Sequence, residues 1–161
     1  MRYHIQPRTL AVASDSHGSF DALEQILLEN PKTDGFLFLG DGMREFEDLQ
    51  GLYPNLPMVG VPGNCDWSSR GPLVRIYQDH DLRLMLTHGH QYHVKAGLEY
   101  LLDAARDQDA TAVLFGHTHK ELLRQEDDGL WVINPGSLGY SGTYALLEIS
   151  ENGISAKLKE L

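Results

Sequence analysis

The chain has 161 residues, a formal net charge of −10 and a single cysteine, Cys65. This length predicts one domain over residues 1–161, with a core that needs no disulfides. The acidic balance argues against binding to long nucleic acids, which depends on clustered Lys and Arg. No apolar run is long enough to cross a membrane and the first ten residues lack a signal core, so we expect a cytoplasmic protein.

Short apolar segments alternate with helical patterns along the first part of the chain. The segments are typical of buried strands and occupy residues 10–14, 36–39, 58–61, 82–86 and 112–115. Helices are predicted from an N-cap at Ser19 to before Pro31, over about 43–50, and along a stripe containing Leu98, Leu101, Leu102 and Ala105. The early β-α-β-α-β order implies a largely parallel sheet.

The C-terminal part is predicted to consist of strands joined by short turns. Four strands are expected at residues 121–125, 130–133, 144–149 and 154–158, with hairpin signals at 127–129 and 152–153. A helix-rich parallel half would therefore meet an antiparallel half. Two sheets packed face to face, with helices outside, would satisfy both patterns.

Polar clusters follow the apolar segments. They are DSH at 15–17, GD at 40–41, GNCD at 63–66, THGH at 87–90, GHTH at 116–119 and NPGS at 134–137. Five of the eight histidines lie in these clusters. Because ligands of open α/β sheets bind at the carboxyl ends of strands, we expect the clusters to converge on one site.

The side chains of these clusters are typical of metal ligands. Carboxylates, imidazoles and an amide, without paired cysteines, suit Mn, Fe, Zn or a similar divalent ion. There are too many for one tetrahedral zinc, so two metals with a bridging carboxylate fit better. Such a pair activates water and holds phosphoryl oxygens, which predicts hydrolysis of phosphate esters by a metal-bridging hydroxide. No serine lies in a GxSxG nucleophile context.

Five of the clusters, in this order, resemble the calcineurin-like metallophosphoesterase superfamily from residue 10 to about 144. GNCD, NPGS and the small size resemble its YfcE-like branch of small prokaryotic phosphodiesterases. The resemblance implies a four-layer α/β/β/α sandwich of two mixed sheets. It also implies two divalent metal ions, with Mn favoured over Zn, Fe or Ni, and activity on artificial aryl phosphodiesters.

The resemblance further implies a set of ligands. The first metal would be held by Asp15, His17 and His119, the second by Asn64, His88 and His117, and Asp41 would bridge both. The further roles expected are catalysis for Asp41, Asn64 and His117, with Cys65 and Asp66 as additional candidates, and substrate contact for Asn64 and His90.

Some of these roles have alternatives. His90 either contacts substrate or supports a metal ligand, and Asp66 either orients a histidine or caps a turn. Most superfamily members have His where this chain has Cys65. The resemblance implies that this histidine binds the phosphate or helps the leaving group to depart. A thiol is a weak hydrogen bonder, so we expect a preference for substrates that have good leaving groups or bring their own proton donor.

The leading functional prediction is a phosphodiesterase acting on a small phosphorylated substrate. A phosphomonoesterase acting on a small metabolite is the near alternative, because the same metal pair serves both reactions. A protein-binding scaffold, as in the retromer subunit of the same fold, is the alternative from another class. The oligomeric state is open, and a homo-oligomer is compatible with the sequence.

Overall fold

The computed structural model describes residues 6–79 and 81–161. The strands of this part of the chain are β1 (Arg8–Ala13), β2 (Gly35–Phe38), β3 (Met58–Gly60), β4 (Val74–Asp79), β5 (Leu82–Thr87), β6 (Ala112–Leu114), β7 (Leu122–Gln125), β8 (Trp131–Asn134), β9 (Thr143–Ser150) and β10 (Gly153–Glu160). The α-helices are α1 (Phe20–Glu29), α2 (Met43–Leu52), α3 (Glu99–Asp107) and α4 (Leu138–Ser141).

The strands form two mixed sheets of five strands each. The first has the order β10-β9-β1-β2-β3, and the second has the order β4-β5-β6-β8-β7. In the first sheet β1, β2 and β3 are parallel, and β9 is antiparallel to both β1 and β10. In the second sheet β5, β6 and β8 are parallel, with β4 and β7 antiparallel at the two edges. The predicted pair of mixed sheets is confirmed.

The predicted division into a parallel half and an antiparallel half is wrong. The C-terminal strands are split between the sheets, since β7 and β8 join the second sheet while β9 and β10 join the first. Moreover, β8 pairs parallel with β6. The hairpin signals specify only that successive strands pair with each other, and they carry no information on which sheet a pair joins.

Side chains that point alternately to the two faces of each strand create the four layers. Leu10 and Val12 of β1 belong to a core that also contains Leu84 and Leu86 of the second sheet, so this core lies between the sheets. The other face of β1 packs with α1 and α2 in a second core. Strands β5, β6 and β8 present their other face to α3 in a third core. Since side chains point alternately to the two faces of a strand, one strand serves two cores. The predicted α/β/β/α sandwich is confirmed.

The three predicted helices are present, and their starts have different causes. Ser19 caps α1, because its hydroxyl oxygen accepts a hydrogen bond from the backbone N–H of Ala22 at 3.3 Å. The N-cap of α2 is Gly42, which has no side chain to accept such a bond. A carboxylate from a distant loop, that of Asp66, accepts from the N–H groups of Gly42 and Met43, each at 3.0 Å.

One strand and one α-helix were not predicted from the sequence. Strand β4 lies at an edge of the second sheet, and most of its residues are partly or fully exposed, so it lacks the apolar run of a buried strand. Helix α4 is a single turn within a glycine-rich segment. No helix in the described part of the chain combines the length and apolar character needed to span a membrane.

Candidate metal centre

Strained backbone marks the predicted ligands. Within residues 6–79 and 81–161, seven non-glycine residues have positive φ, and five of them are predicted metal ligands. These five are Asp15 at 55°, His17 at 46°, Asp41 at 60°, His117 at 69° and His119 at 62°. A left-handed residue with a side chain costs roughly 1–2 kcal/mol, so surrounding interactions must hold each loop in place.

Backbone hydrogen bonds tie the loops that follow β1 and β2 together. The N–H of Asp15 donates to the carbonyl of Gly40 at 2.9 Å, and the N–H of His17 donates to the carbonyl of Asp41 at 3.0 Å. In the second sheet, the N–H of Gly116 donates to the carbonyl of His88 at 3.0 Å. The strand ends therefore converge as predicted.

Asp15, His17 and His119 form the first ligand group. The Oδ1 atom of Asp15 lies 3.5 Å from His17 Nε2 and 3.3 Å from His119 Nε2. This oxygen is buried and has no hydrogen-bond partner among the described residues. The other oxygen, Oδ2, accepts from the Ser14 hydroxyl at 2.6 Å and from the His117 N–H at 3.1 Å. Asp15 is thus held by one oxygen while the other faces two imidazole nitrogens.

Asp41, His88 and His117 form the second group. His88 Nε2 lies 3.2 Å from Asp41 Oδ2 and 3.2 Å from His117 Nδ1. His88 Nδ1 lies 2.7 Å from the carbonyl oxygen of Leu39. Because a carbonyl only accepts, Nδ1 carries the proton, and in the neutral ring the Nε2 lone pair points towards the group.

The two groups are neighbours. Asp15 Oδ1 of the first lies 3.8 Å from His88 Nε2 of the second. The predicted bridging position of Asp41 stays a prediction, as does the ligand role of Asn64. The Asn64 residue is exposed, and its amide donates to Cys65 Sγ at 3.7 Å.

His90 lies beside the second group. It begins a 3-10 turn, His90–Tyr92, and its ring centroid lies 5.6 Å from that of His88 and 6.2 Å from that of His117. Its Nδ1 is buried without a hydrogen-bond partner in the described part of the chain. Substrate contact and support of a ligand both remain predictions for this residue.

The loop that carries Cys65 and Asp66 positions Asp41. The backbone N–H of Cys65 donates to Asp41 Oδ1 at 2.8 Å. The Asp66 carboxylate accepts four backbone hydrogen bonds, from Asp41 at 2.7 Å, Gly63 at 2.8 Å, and the two residues that begin α2. The contacts of Asp66 are thus those of a cap, and the catalytic roles of Cys65 and Asp66 stay predictions.

The electrostatics of the second group keep Asp41 charged and His117 neutral, whereas they favour the protonated form of His88. Burial opposes ionisation of Asp41, but the hydrogen bond and charge of His88 hold the Asp41 pKa well below its usual range. Burial disfavours the charged form of His88, yet the carboxylates of Asp41 and Asp15 raise its pKa. Burial and the neighbouring His88 lower the pKa of His117 to about 4. His117 is therefore neutral at pH 7, which is the form that binds a metal.

The segment after β8 supports Asp15, as does the preceding Ser14. The Ser137 hydroxyl donates to the Asp15 carbonyl at 3.0 Å, and the Gly139 N–H donates to the same oxygen at 2.9 Å. The sequence predicts that the NPGS turn lies at the site, but it gives no sign of the roles of Ser14 and Gly139. The partner of Ser137 and Gly139 is distant in the chain, whereas Ser14 bonds to the side chain of the residue that follows it.

Two glycines allow close approach at the centre. A Cβ on Gly63 would overlap Asp41 Oδ1 and lie 2.7 Å from the Asp41 nitrogen. A Cβ on Gly116 would lie 2.7 Å from Asp15 Oδ2. Any larger residue at these positions must displace a carboxylate of the centre.

Comparison with known proteins identifies the family. The calcineurin-like phosphoesterase superfamily domain matches residues 9–152, so the chain belongs to that superfamily. A similar curated protein is the probable metallophosphoesterase YsnB of Bacillus subtilis, which is 28% identical over 156 residues, covering 91% of this chain and 87% of that protein.

Solved structures share this fold. A predicted phosphoesterase from Streptococcus pneumoniae has a TM-score of 0.83 at 24% identity, covering 97% of this chain and 91% of that one. YfcE, a phosphoesterase from E. coli, has a TM-score of 0.64 at 25% identity, covering 86% and 87% of the two chains. A second similar curated protein, Vacuolar protein sorting-associated protein 29 of Schizosaccharomyces pombe, is 36% identical over 92 residues, covering 57% of this chain and 48% of that protein.

The residues of both groups fit a divalent cation. Each group offers carboxylate oxygen and imidazole nitrogen, the donors preferred by first-row divalent metals. The buried, unpartnered Asp15 Oδ1 is a polar atom that a cation would satisfy. The identity of the metal does not follow from these donors, since they suit several ions.

Proposed function

We propose that the protein is a phosphodiesterase that hydrolyses small phosphate diesters with two divalent cations. One cation is assigned to Asp15, His17 and His119, the other to Asp41, His88 and His117, with Asn64 as an added ligand of the second. The observation that carries the proposal is the buried oxygen Asp15 Oδ1, which faces imidazole nitrogens of both groups and has no hydrogen-bond partner within the described residues.

Charge balance supports a requirement for cations. Asp15 and Asp41 are buried carboxylates at the point where a phosphate would bind, and they repel an anion. Divalent cations held by these residues would reverse this local charge, lower the pKa of a water molecule and neutralise charge on phosphoryl oxygens. Both hydrolysis and anion binding are therefore expected to depend on metal.

The chain itself supplies position and protonation state. The Leu39 carbonyl fixes the proton of His88 on Nδ1, and the Cys65 N–H fixes one oxygen of Asp41. The low pKa of His117 keeps its ring neutral at the pH of the assay. These contacts hold the ligand atoms in place before binding, which reduces the cost of ordering them.

Chelation followed by addition of single metals tests the proposal. The stripped protein should regain turnover of an aryl phosphodiester with manganese first, and less with zinc, iron or nickel. The diester should be hydrolysed faster than the matching monoester. Asp41→Ala should lose most activity while retaining the circular dichroism spectrum of the parent. Absence of turnover with every metal, or full activity of metal-loaded Asp41→Ala, would contradict the proposal.

Two other functions are distinguished by the same experiment. Faster hydrolysis of the monoester would favour a phosphomonoesterase acting on a small metabolite. A scaffold is favoured by the similarity to Vacuolar protein sorting-associated protein 29. Against a scaffold, none of the seven predicted ligand positions has lost a metal-binding side chain. A folded protein that binds metal but hydrolyses neither ester would favour the scaffold.

A further inference from the structure

A groove of about 930 Å³ opens beside the candidate metal centre. His17 and Asp41, one predicted ligand from each group, line one part of it. Trp67 and Tyr140 also line it. A molecule in this groove therefore contacts metal ligands and aromatic side chains together.

Trp67 is the most exposed large apolar side chain of the described residues, at 91%. It is nevertheless fixed in place, because its indole Nε1 donates to the Asn64 carbonyl at 2.9 Å. The loop below it is held by the Asp66 carboxylate, which accepts from the Gly63 N–H of the same loop and from the Asp41 N–H after β2. The indole contributes little to the core, and one hydrogen bond to its own loop orients it at the surface.

Tyr140 is the second aromatic side chain of the groove and is 71% exposed. Its ring centroid lies 4.9 Å from that of His17 and 5.1 Å from that of His119. The Ser137 hydroxyl accepts from the Tyr140 N–H at 3.2 Å and so fixes the start of α4. The groove thus has an aromatic side chain next to the first ligand group and another on the GNCD loop.

The groove carries one arginine, Arg44, and four carboxylates, which are those of Asp41, Glu45, Glu47 and Asp66. Arg44 is exposed, lines the groove, and has no ion-pair partner within residues 6–79 and 81–161. The carboxylate of Glu45, also in the groove, accepts from the Ser16 hydroxyl at 2.9 Å and from the Gly18 N–H. A single arginine does not form a track for a long polynucleotide, which requires several phosphate contacts.

We propose that this groove binds the nucleoside part of a phosphodiester substrate and that Trp67 stacks on its base. The inference rests on the proposed function, and it narrows the substrate class to nucleoside phosphodiesters of dinucleotide size. Bases stack on aromatic side chains with little dependence on sequence, since every base has a flat π face. An exposed indole beside a phosphate site provides that surface.

Kinetics of two esters with one leaving group test the stacking. Thymidine 5′-(4-nitrophenyl) phosphate and methyl 4-nitrophenyl phosphate differ only in the nucleoside. Trp67→Ala should raise the ratio of the KM of the thymidine ester to the KM of the methyl ester roughly tenfold. This factor lies in the range expected for loss of one base stack. Trp67→Phe should restore most of the ratio, whereas Trp67→Leu, which is apolar but not aromatic, should not. A ratio that changes less than twofold in Trp67→Ala overturns the inference.

A binding measurement separates this inference from the proposed activity. The chain has two tryptophans, so in a Trp131→Phe background Trp67 is the only one. Adenosine 5′-monophosphate should quench its fluorescence, with and without added zinc, and ribose 5-phosphate should not. Quenching without hydrolysis would retain the stacking site and reject the phosphodiesterase. Hydrolysis without quenching would retain the phosphodiesterase and reject the stacking site.

Discussion

Replacing Asp66 should loosen two loops of the candidate centre at once. Its Oδ2 accepts from the N–H groups of Asp41 and Gly63, and its Oδ1 accepts from those of Gly42 and Met43. Hydrogen bonds to charged groups are worth about 1.5–3 kcal/mol each. Asp66 is only half-buried, so we count roughly 1 kcal/mol for each bond after solvent screening.

Loss of all four bonds in Asp66→Ala should therefore cost about 4 kcal/mol of unfolding free energy. This corresponds to a fall of roughly 8–16 °C in Tm for a protein of this size. Asp66→Asn keeps one acceptor oxygen and two of the bonds, so about half of the loss is expected. Thermal unfolding of the metal-free protein measures the series, with the exposed Asp48→Asn as the charge control. A Tm of Asp66→Ala within about 2 °C of the control would refute the reasoning.

Three further predictions concern the same loop. Gly63→Ala should displace the Asp41 carboxylate and weaken metal binding at least tenfold by calorimetric titration. The control is Gly51→Ala on α2, where a Cβ meets open space; this variant should bind metal normally and gain about 0.5 kcal/mol of stability. Equal metal affinities of the Gly63→Ala and Gly51→Ala variants would count against the close-approach argument. Burial and then the charge of Asp41 raise the pKa of the Cys65 thiol above its ordinary value of 9.0. Because the thiol stays protonated at pH 8, iodoacetamide should alkylate it more slowly than glutathione, and Asp41→Asn should accelerate the reaction; alkylation as fast as that of glutathione would contradict the shift. Cys65→His should raise activity on esters with poor leaving groups more than on 4-nitrophenyl esters, and an unchanged selectivity would argue against a leaving-group role.

The sequence predicts those ligands whose positions depend only on a short motif and on the order of the strands. Asp15 comes shortly after β1 and Asp41 comes shortly after β2, and parallel pairing brings these strand ends to one edge. The same holds for His88 and His117 after β5 and β6. Each histidine or carboxylate could therefore be placed from its own short motif.

The supporting contacts could not be predicted, because they join distant segments. The Ser137 hydroxyl bonds to the Asp15 carbonyl across 122 positions of the chain. The carboxylate of Asp66 caps α2, which begins 23 residues earlier, at Met43. Neither residue type nor spacing specifies such a partner, since many serines and aspartates cap turns locally.

The assignment of the C-terminal strands failed for a related reason. Hairpin signals predict that β9 and β10 pair, and they do so over the full length of β10. They do not predict that β9 lies in the first sheet, where it pairs with β1. That choice is made by burial, because Ala145, Leu147 and Ile149 complete the core between the sheets.

Anomalous scattering from crystals soaked in manganese would locate the cations themselves. Two peaks are expected, one bound by Asp15, His17 and His119 and the other by Asp41, His88 and His117. A single peak would restrict the chemistry to one cation. The absence of any peak at these side chains, in crystals of folded protein soaked to saturation, would contradict the metal centre on which the proposed hydrolysis depends.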